Sequence, residues 1–161
     1  MKKLLIGLGI VSSLCAQVNI GYSFSTNHIK YGSERNNYEF YEDNKVIAIE
    51  FQKKNELVGF ASFTNSYGNE SMAIYYGTIR DRNNKGFYFK NTVGVVKGYH
   101  KYETLKSLDG GLPYNFLNPT VLHKDYGILF TTGIGYNLDN LGMEVNLVGN
   151  AVVSSIKINI K

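Results

Sequence analysis

The chain has 161 residues, 43% hydrophobic and 14% aromatic, with 13 tyrosines and no tryptophan; its 17 basic side chains outnumber 13 acidic ones. That length makes one domain. Setting aside Lys2 and Lys3, which lie in a leader-like segment with the only cysteine, Cys15, leaves 15 basic against 13 acidic groups, a balance that argues against a nucleic-acid surface and a residue set that excludes disulfides and thiol chemistry.

Residues 1–16 have the layout of a cleavable signal peptide: a basic start at Lys2 and Lys3, an apolar run from Leu4 to Val11, and small residues at Ser12, Ser13, Cys15 and Ala16. The run is too short to span a bilayer as a helix, which takes about 20 residues. Cleavage after Ala16 is expected, so that residues 17–161 form the mature domain.

Directly behind it, Val18 to Ser25 alternates strictly between apolar and small polar side chains, as a strand with one face in an apolar medium does. The second run is Lys45 to Gln52, with Ile47, Ile49 and Phe51 on one face and Ala48, Glu50 and Gln52 on the other. A polar turn at residues 53–56 leads into the third, Leu57 to Thr64, and the loop 65–70 into the fourth, Ser71 to Ile79. After the turn 80–85 comes the fifth, Gly86 to Gly98, with Phe87, Phe89, Val93 and Val95 on one face. A long segment precedes the sixth, Tyr126 to Tyr136, whose outward set is Ile128, Phe130, Ile134 and Tyr136. Residues 137–140 turn the chain into Gly142 to Val148, and Gly149-Asn150 turn it again into Ala151 to Ile160. Eight alternating runs behind a secretion signal predict an all-β fold, an eight-stranded antiparallel up-and-down transmembrane β-barrel in the bacterial outer membrane.

Short connections near 53–56, 80–85 and 137–140 belong at the periplasmic rim, and the long ones, 26–44 and 99–125, outside. A water-soluble barrel would hide apolar residues and expose polar ones. Here the predicted inward residues include Glu50, Lys90, Thr92, Glu144, Asn146, Lys157 and Asn159, and the four charged ones are expected to pair and fill the lower lumen. Beside them Gly59, Ala61 and Phe63, then Ala73, Tyr75 and Gly77, then Leu129, Gly133 and Gly135 make a small, glycine-rich lining. It is read either as an acyl slot or as plain packing of a tapered interior.

Three residues past the first predicted strand, His28 sits at the outer rim, as do Asn65 and Ser66 beyond the third. Strand tops approach one another across the mouth of so small a barrel, which brings an imidazole and a hydroxyl within reach. His100 and His123, with Glu103 and Asp125, lie in a long loop without metal-site spacing, and no metal or other cofactor is expected. Asp109-Gly110-Gly111 is a turn, since no strand and helix flank it as a phosphate loop requires.

From the first strand to the end the chain resembles the PagP-type lipid A palmitoyltransferases. The resemblance rests on His28 behind an aromatic-rich strand, on Gly59-Phe60-Ala61-Ser62-Phe63-Thr64-Asn65-Ser66-Tyr67, on Ile74-Tyr75-Tyr76-Gly77, on Val95 to Tyr99 and on Leu112-Pro113. It implies acyl transfer from a phospholipid donor to a lipid A-type acceptor by a monomeric outer-membrane enzyme. His28 matches that family's histidine and Ser66 its serine, Asn65 stands where it has an aspartate, and Gly77 falls at the floor of its acyl pocket, with Tyr75, Ala73, Ala61 and Gly59 along the walls. In that site Asn65 would orient the imidazole, while Glu39, Glu42, Asp43 and Glu70 are the carboxylates near enough in sequence to charge-stabilise it. Two other functions fit the same pattern: phospholipase-type hydrolysis, with water as acceptor, and a non-enzymatic small outer-membrane barrel for surface binding or envelope structure.

Overall fold

The computed structural model describes residues 17–28, 44–66, 68–81, 86–98, 126–149 and 151–160. The strands are β1 (Gln17–His28), β2 (Ile47–Lys53), β3 (Glu56–Thr64), β4 (Glu70–Asp81), β5 (Gly86–Lys97), β6 (Tyr126–Leu138), β7 (Leu141–Val148) and β8 (Ala151–Ile160). Each pairs antiparallel with the next and β8 returns to β1, closing an eight-stranded barrel. The expected leader and the loop residues Glu39, Glu42, Asp43, His100, Glu103, Asp109, Leu112, Pro113, His123 and Asp125 lie outside the described residues.

Every alternating run becomes a strand, and the turns are tighter than the sequence suggested. Lys54 and Asp139 adopt positive φ of 54° and 49°. A left-handed residue at this place in a two-residue turn matches the twist of the flanking strands, so pairing persists to Lys53↔Glu56 and Leu138↔Leu141. Likewise β4 runs on through Arg80 and Asp81, paired to Phe89 and Tyr88, where a turn was expected.

These turns and the strand ends at Gln17 and Ile160 define one end of the barrel, the turn end. The other, the loop end, holds His28, Asn44, the turn at Asn65 to Asn69, Gly98 and Tyr126.

β1 differs from a regular strand in one way that matters for the mouth. Its register against β8 slips between Ser23 and Ser25, a β-bulge. Below it Asn19 and Ser23 are buried; above it Thr26 and His28 are. Side chains alternate with a period of two, so one extra residue exchanges the faces. Had the alternation from Val18 continued unbroken, His28 would share the outer face of Ile20, Tyr22 and Phe24. The bulge turns it inward, and it also extends β1 to include His28, which the sequence placed beyond the strand.

Inside and outside are the reverse of a water-soluble barrel. The outer wall is mostly apolar, from Phe24 and Ile49 past Phe60, Ile74 and Phe89 to Phe130, Val145 and Ile158, interrupted by the exposed pair in which Thr132 donates to Asn91 (2.8 Å), while Asn19, Glu50, Lys90, Glu144, Lys157 and Asn159 are buried. At the turn end an amide ladder closes the lumen, with Asn19 donating to Gln52 (3.3 Å) and Asn159 to Asn137 (3.3 Å).

Next comes a charged layer. Lys90 Nζ bridges Glu50 (3.1 Å) and Glu144, and Lys157 Nζ reaches Glu144 (3.1 Å), so the four expected charges do pair. Tyr75 donates to Glu50 (3.0 Å) and Tyr88 to Glu144 (2.6 Å), while Lys157 donates to the Tyr88 oxygen (2.8 Å). A buried charge is costly unless paired and hydrogen-bonded; two acids, two bases and two phenols pair every charge of the layer together.

The same two tyrosines account for part of the glycine-rich lining. Gly59 is the cross-strand neighbour of Tyr75, and Gly135 that of Tyr88. A Cβ on either glycine would run into the ring beside it, so the space the glycines release is filled by tyrosine.

Candidate functional site

At the loop end His28 Nε2 lies 2.6 Å from Ser66 Oγ. The two come from opposite sides of β2: His28 ends β1 and pairs with Ala151 of β8, and Ser66 follows β3. In the tautomer that carries its proton on Nδ1, the imidazole accepts the Ser66 hydroxyl proton at Nε2, the arrangement a general base needs.

Ser66 is held by Asn65. The Asn65 amide nitrogen donates to Ser71 Oγ (3.0 Å) and to the Gly98 carbonyl (3.1 Å), and its Oδ1 accepts from Asn69 N (3.1 Å). Its backbone closes the same turn, accepting from Gly68 N (2.9 Å) and donating to Asn69 O (2.8 Å). Both Nδ2 hydrogens thus serve β4 and the end of β5, so Asn65 has a structural role and fixes the turn that presents Ser66. Gly98 makes this possible, for at φ 117° it sits so close to Glu70 and Ser71 that a Cβ would collide with them.

On the β1 side the rim is built from residues the sequence did not single out. Ser23 Oγ donates to the Asn44 carbonyl (2.9 Å) and accepts from Val46 N (2.7 Å), and Thr26 Oγ1 also reaches Asn44 O (3.4 Å). These bonds hold the chain entering β2 beside the bulge. A buried hydroxyl was visible in the alternation; the bulge that gives Ser23 and Thr26 a common acceptor was not.

Below the mouth is a cavity of about 150 Å³. Asn65 and Ser66 stand at its top, Ala48, Ala61, Phe63, Leu129, Val148 and Val153 along its walls, and Tyr75, Glu50, Lys90, Glu144 and Lys157 at its floor. Of the residues expected to form the acyl slot, Ala61 and Tyr75 line it; Gly59, Ala73 and Gly77 are not among its lining residues. Ala73 packs in the adjoining apolar cluster with Leu57, Ile79, Tyr88 and Val96. Gly77 pairs with Leu57 and Thr92, where a Cβ would approach the Asn91 carbonyl to 2.5 Å and Thr92 Cγ2 to 2.7 Å. The floor is formed by the Tyr75 ring and the charged layer.

Glu70, one of the carboxylates considered for charging the imidazole, begins β4 and is exposed. Among the described residues no group of three histidine, cysteine or carboxylate side chains is arranged to hold a metal ion. The chain matches no protein-family model, and no curated protein resembles it significantly.

Proposed function

We propose that this chain is an outer-membrane acyltransferase that moves an acyl group from a phospholipid to lipid A or a related envelope lipid. The observation that carries the proposal is the 2.6 Å contact of His28 with Ser66 above an apolar-walled cavity. The order of His28 and Ser66 follows the PagP-type pattern, with Asn65 where that family has an aspartate, which supports the same chemistry.

Membrane insertion is supported by the apolar outer wall and its borders. Phe87 and Tyr136 meet edge to face at the turn end, ring centroids 4.8 Å apart, and Lys97 lies over the Tyr126 ring at the loop end. Between Phe87 and Lys97 the strand covers about 33 Å. At the usual tilt of about 40° that is about 25 Å of height, the thickness of an outer-membrane apolar band. Aromatic rings at both edges, with Lys97 beside one of them at the loop end, suit the headgroup level.

In this reading the donor's acyl chain enters the cavity and its ester stays at the mouth. His28 Nε2 takes the proton of the attacking hydroxyl, either that of Ser66 or that of the acceptor held by Ser66. The oxygen adds to the ester carbonyl, the bond to the glycerol oxygen breaks, and His28 returns the proton to that leaving oxygen. Through a Ser66 ester the same exchange runs twice. Asn65 keeps Ser66 in place, and the barrel wall excludes bulk water from the chain below.

Purified protein in vesicles containing labelled phospholipid and lipid A tests this. Labelled lipid A is expected with the wild type and not with Ser66→Ala. Released fatty acid without acylated lipid A identifies a hydrolase instead, and no reaction refutes both.

A further inference from the structure

The depth of the cavity can be read along β4. Its inward residues step down from Ser71, which Asn65 holds at the mouth, through Ala73 to Tyr75 at the floor. Four residues of strand cover about 14 Å, or about 10 Å of height at the usual tilt. An extended hydrocarbon advances about 1.3 Å per carbon, because its bonds of about 1.5 Å run in a zigzag. About eight carbons therefore reach from the mouth to the Tyr75 ring. Volume leads to a similar count, since a cavity of about 150 Å³ is the size that benzene fills with its six carbons.

Among the described residues the slot has no continuation past the ring. The Tyr75 ring lies across Gly59 and its hydroxyl donates to Glu50 (3.0 Å). Under it Glu50, Lys90, Glu144 and Lys157 are 2–6% exposed, so the charged layer turns little of its surface to the cavity and leaves no passage through it. Beside it Leu57, Ile79, Tyr88 and Val96 pack together and are 1–4% exposed, which closes the lateral route. Below these the amide ladder seals the turn end. A sixteen-carbon tail is about 20 Å long, and to enter fully it would have to unpair buried charges, a strongly unfavourable change.

We infer that the cavity takes a short, unsubstituted acyl chain of about six to eight carbons, and that Tyr75 sets this length. The inference rests on the reading of this cavity as the acyl slot and names the acyl class. Ala61 faces Ala73 across the β3–β4 ladder two residues above the Gly59–Tyr75 pair, so the chain passes Ala61 before its end meets the ring.

Equilibrium binding, independent of any turnover, tests it. Methyl butanoate, hexanoate, octanoate, decanoate and dodecanoate are each titrated into the full barrel in lipid nanodiscs. The amide resonances of Ala61 and Tyr75 are followed, and dissociation constants are referred to the free aqueous concentration. Affinity is expected to rise about fourfold per methylene while each finds apolar walls, and to stop rising beyond the octanoate. Ala61→Phe, which fills the slot halfway down, is expected to move that limit to shorter esters. Tyr75→Ala, which removes the ring and leaves Lys90 on Glu50, is expected to move it to longer ones. Affinity that keeps rising through the dodecanoate, or binding of none of the esters, overturns the inference from the wild type alone, whether or not the variants fold. A limit that either folded variant leaves in place overturns it too. A limit at six to eight carbons without acyl transfer to any acceptor refutes the proposed function and leaves the slot standing.

Discussion

Ser66 Oγ and His28 Nε2 lie 2.6 Å apart although 38 residues separate them in the chain. Two local devices produce that contact. The bulge between Ser23 and Ser25 turns His28 toward the lumen, and the Asn65 amide ties the following turn to Ser71 and Gly98.

The role of Asn65 is therefore open to a direct substitution. Asn65→Asp removes both Nδ2 donors and sets a carboxylate against the Gly98 carbonyl. A loss of about 1–3 kcal/mol is expected, the cost of leaving buried partners unsatisfied, read as a lower urea midpoint in micelles. Acyl transfer is expected to fall with it. Higher turnover in Asn65→Asp at unchanged stability would show that this position acts on the imidazole.

The charged layer predicts a non-additive pair. Lys90→Met leaves Glu50 and Glu144 short of a buried counter-charge and is expected to cost about 3–5 kcal/mol. Adding Glu50→Gln to Lys90→Met removes one orphaned charge, so the double variant should be more stable than the single. Additive losses in a double-mutant cycle would contradict the bonding of these groups as one layer.

Gly77 and Ala61 separate packing from the slot. Gly77→Ala pushes a methyl toward the Asn91 carbonyl and Thr92, an overpacking change expected to cost about 1–3 kcal/mol while leaving the preferred acyl length unaltered. Ala61→Phe is expected to shorten that length. The opposite assignment in an acyl-length profile would place the floor of the slot at Gly77.

On the outer wall, Phe130 lies midway along β6 and is half exposed. Phe130→Arg is expected to cost about 2–4 kcal/mol in a bilayer, as arginine does at the mid-plane of such barrels. Unchanged folding efficiency into vesicles would contradict lipid contact at that face.

The barrel was legible in the sequence because alternation with a period of two is a repeated, cumulative signal, and the polar inner residues Glu50, Lys90, Glu144 and Lys157 stood out against it. His28 and Ser66 were legible as residue types near strand tops. What put them in contact was not: a bulge is a single inserted residue, invisible in a run as regular as Val18 to Ser25. Glycines are equally ambiguous. In the sequence Gly59 and Gly135 fit an acyl slot or plain packing equally; each makes room for a tyrosine on the neighbouring strand, and only the register joins Gly59 to Tyr75 and Gly135 to Tyr88.

Lipid A mass spectra test the proposed activity most directly, from cells producing the wild type, His28→Ala or Ser66→Ala at matched levels in the outer membrane. One added acyl group is expected with the wild type and with neither variant. An unmodified lipid A from wild-type cells, or an equal modification with Ser66→Ala, would contradict the assignment of the His28–Ser66 pair to acyl transfer.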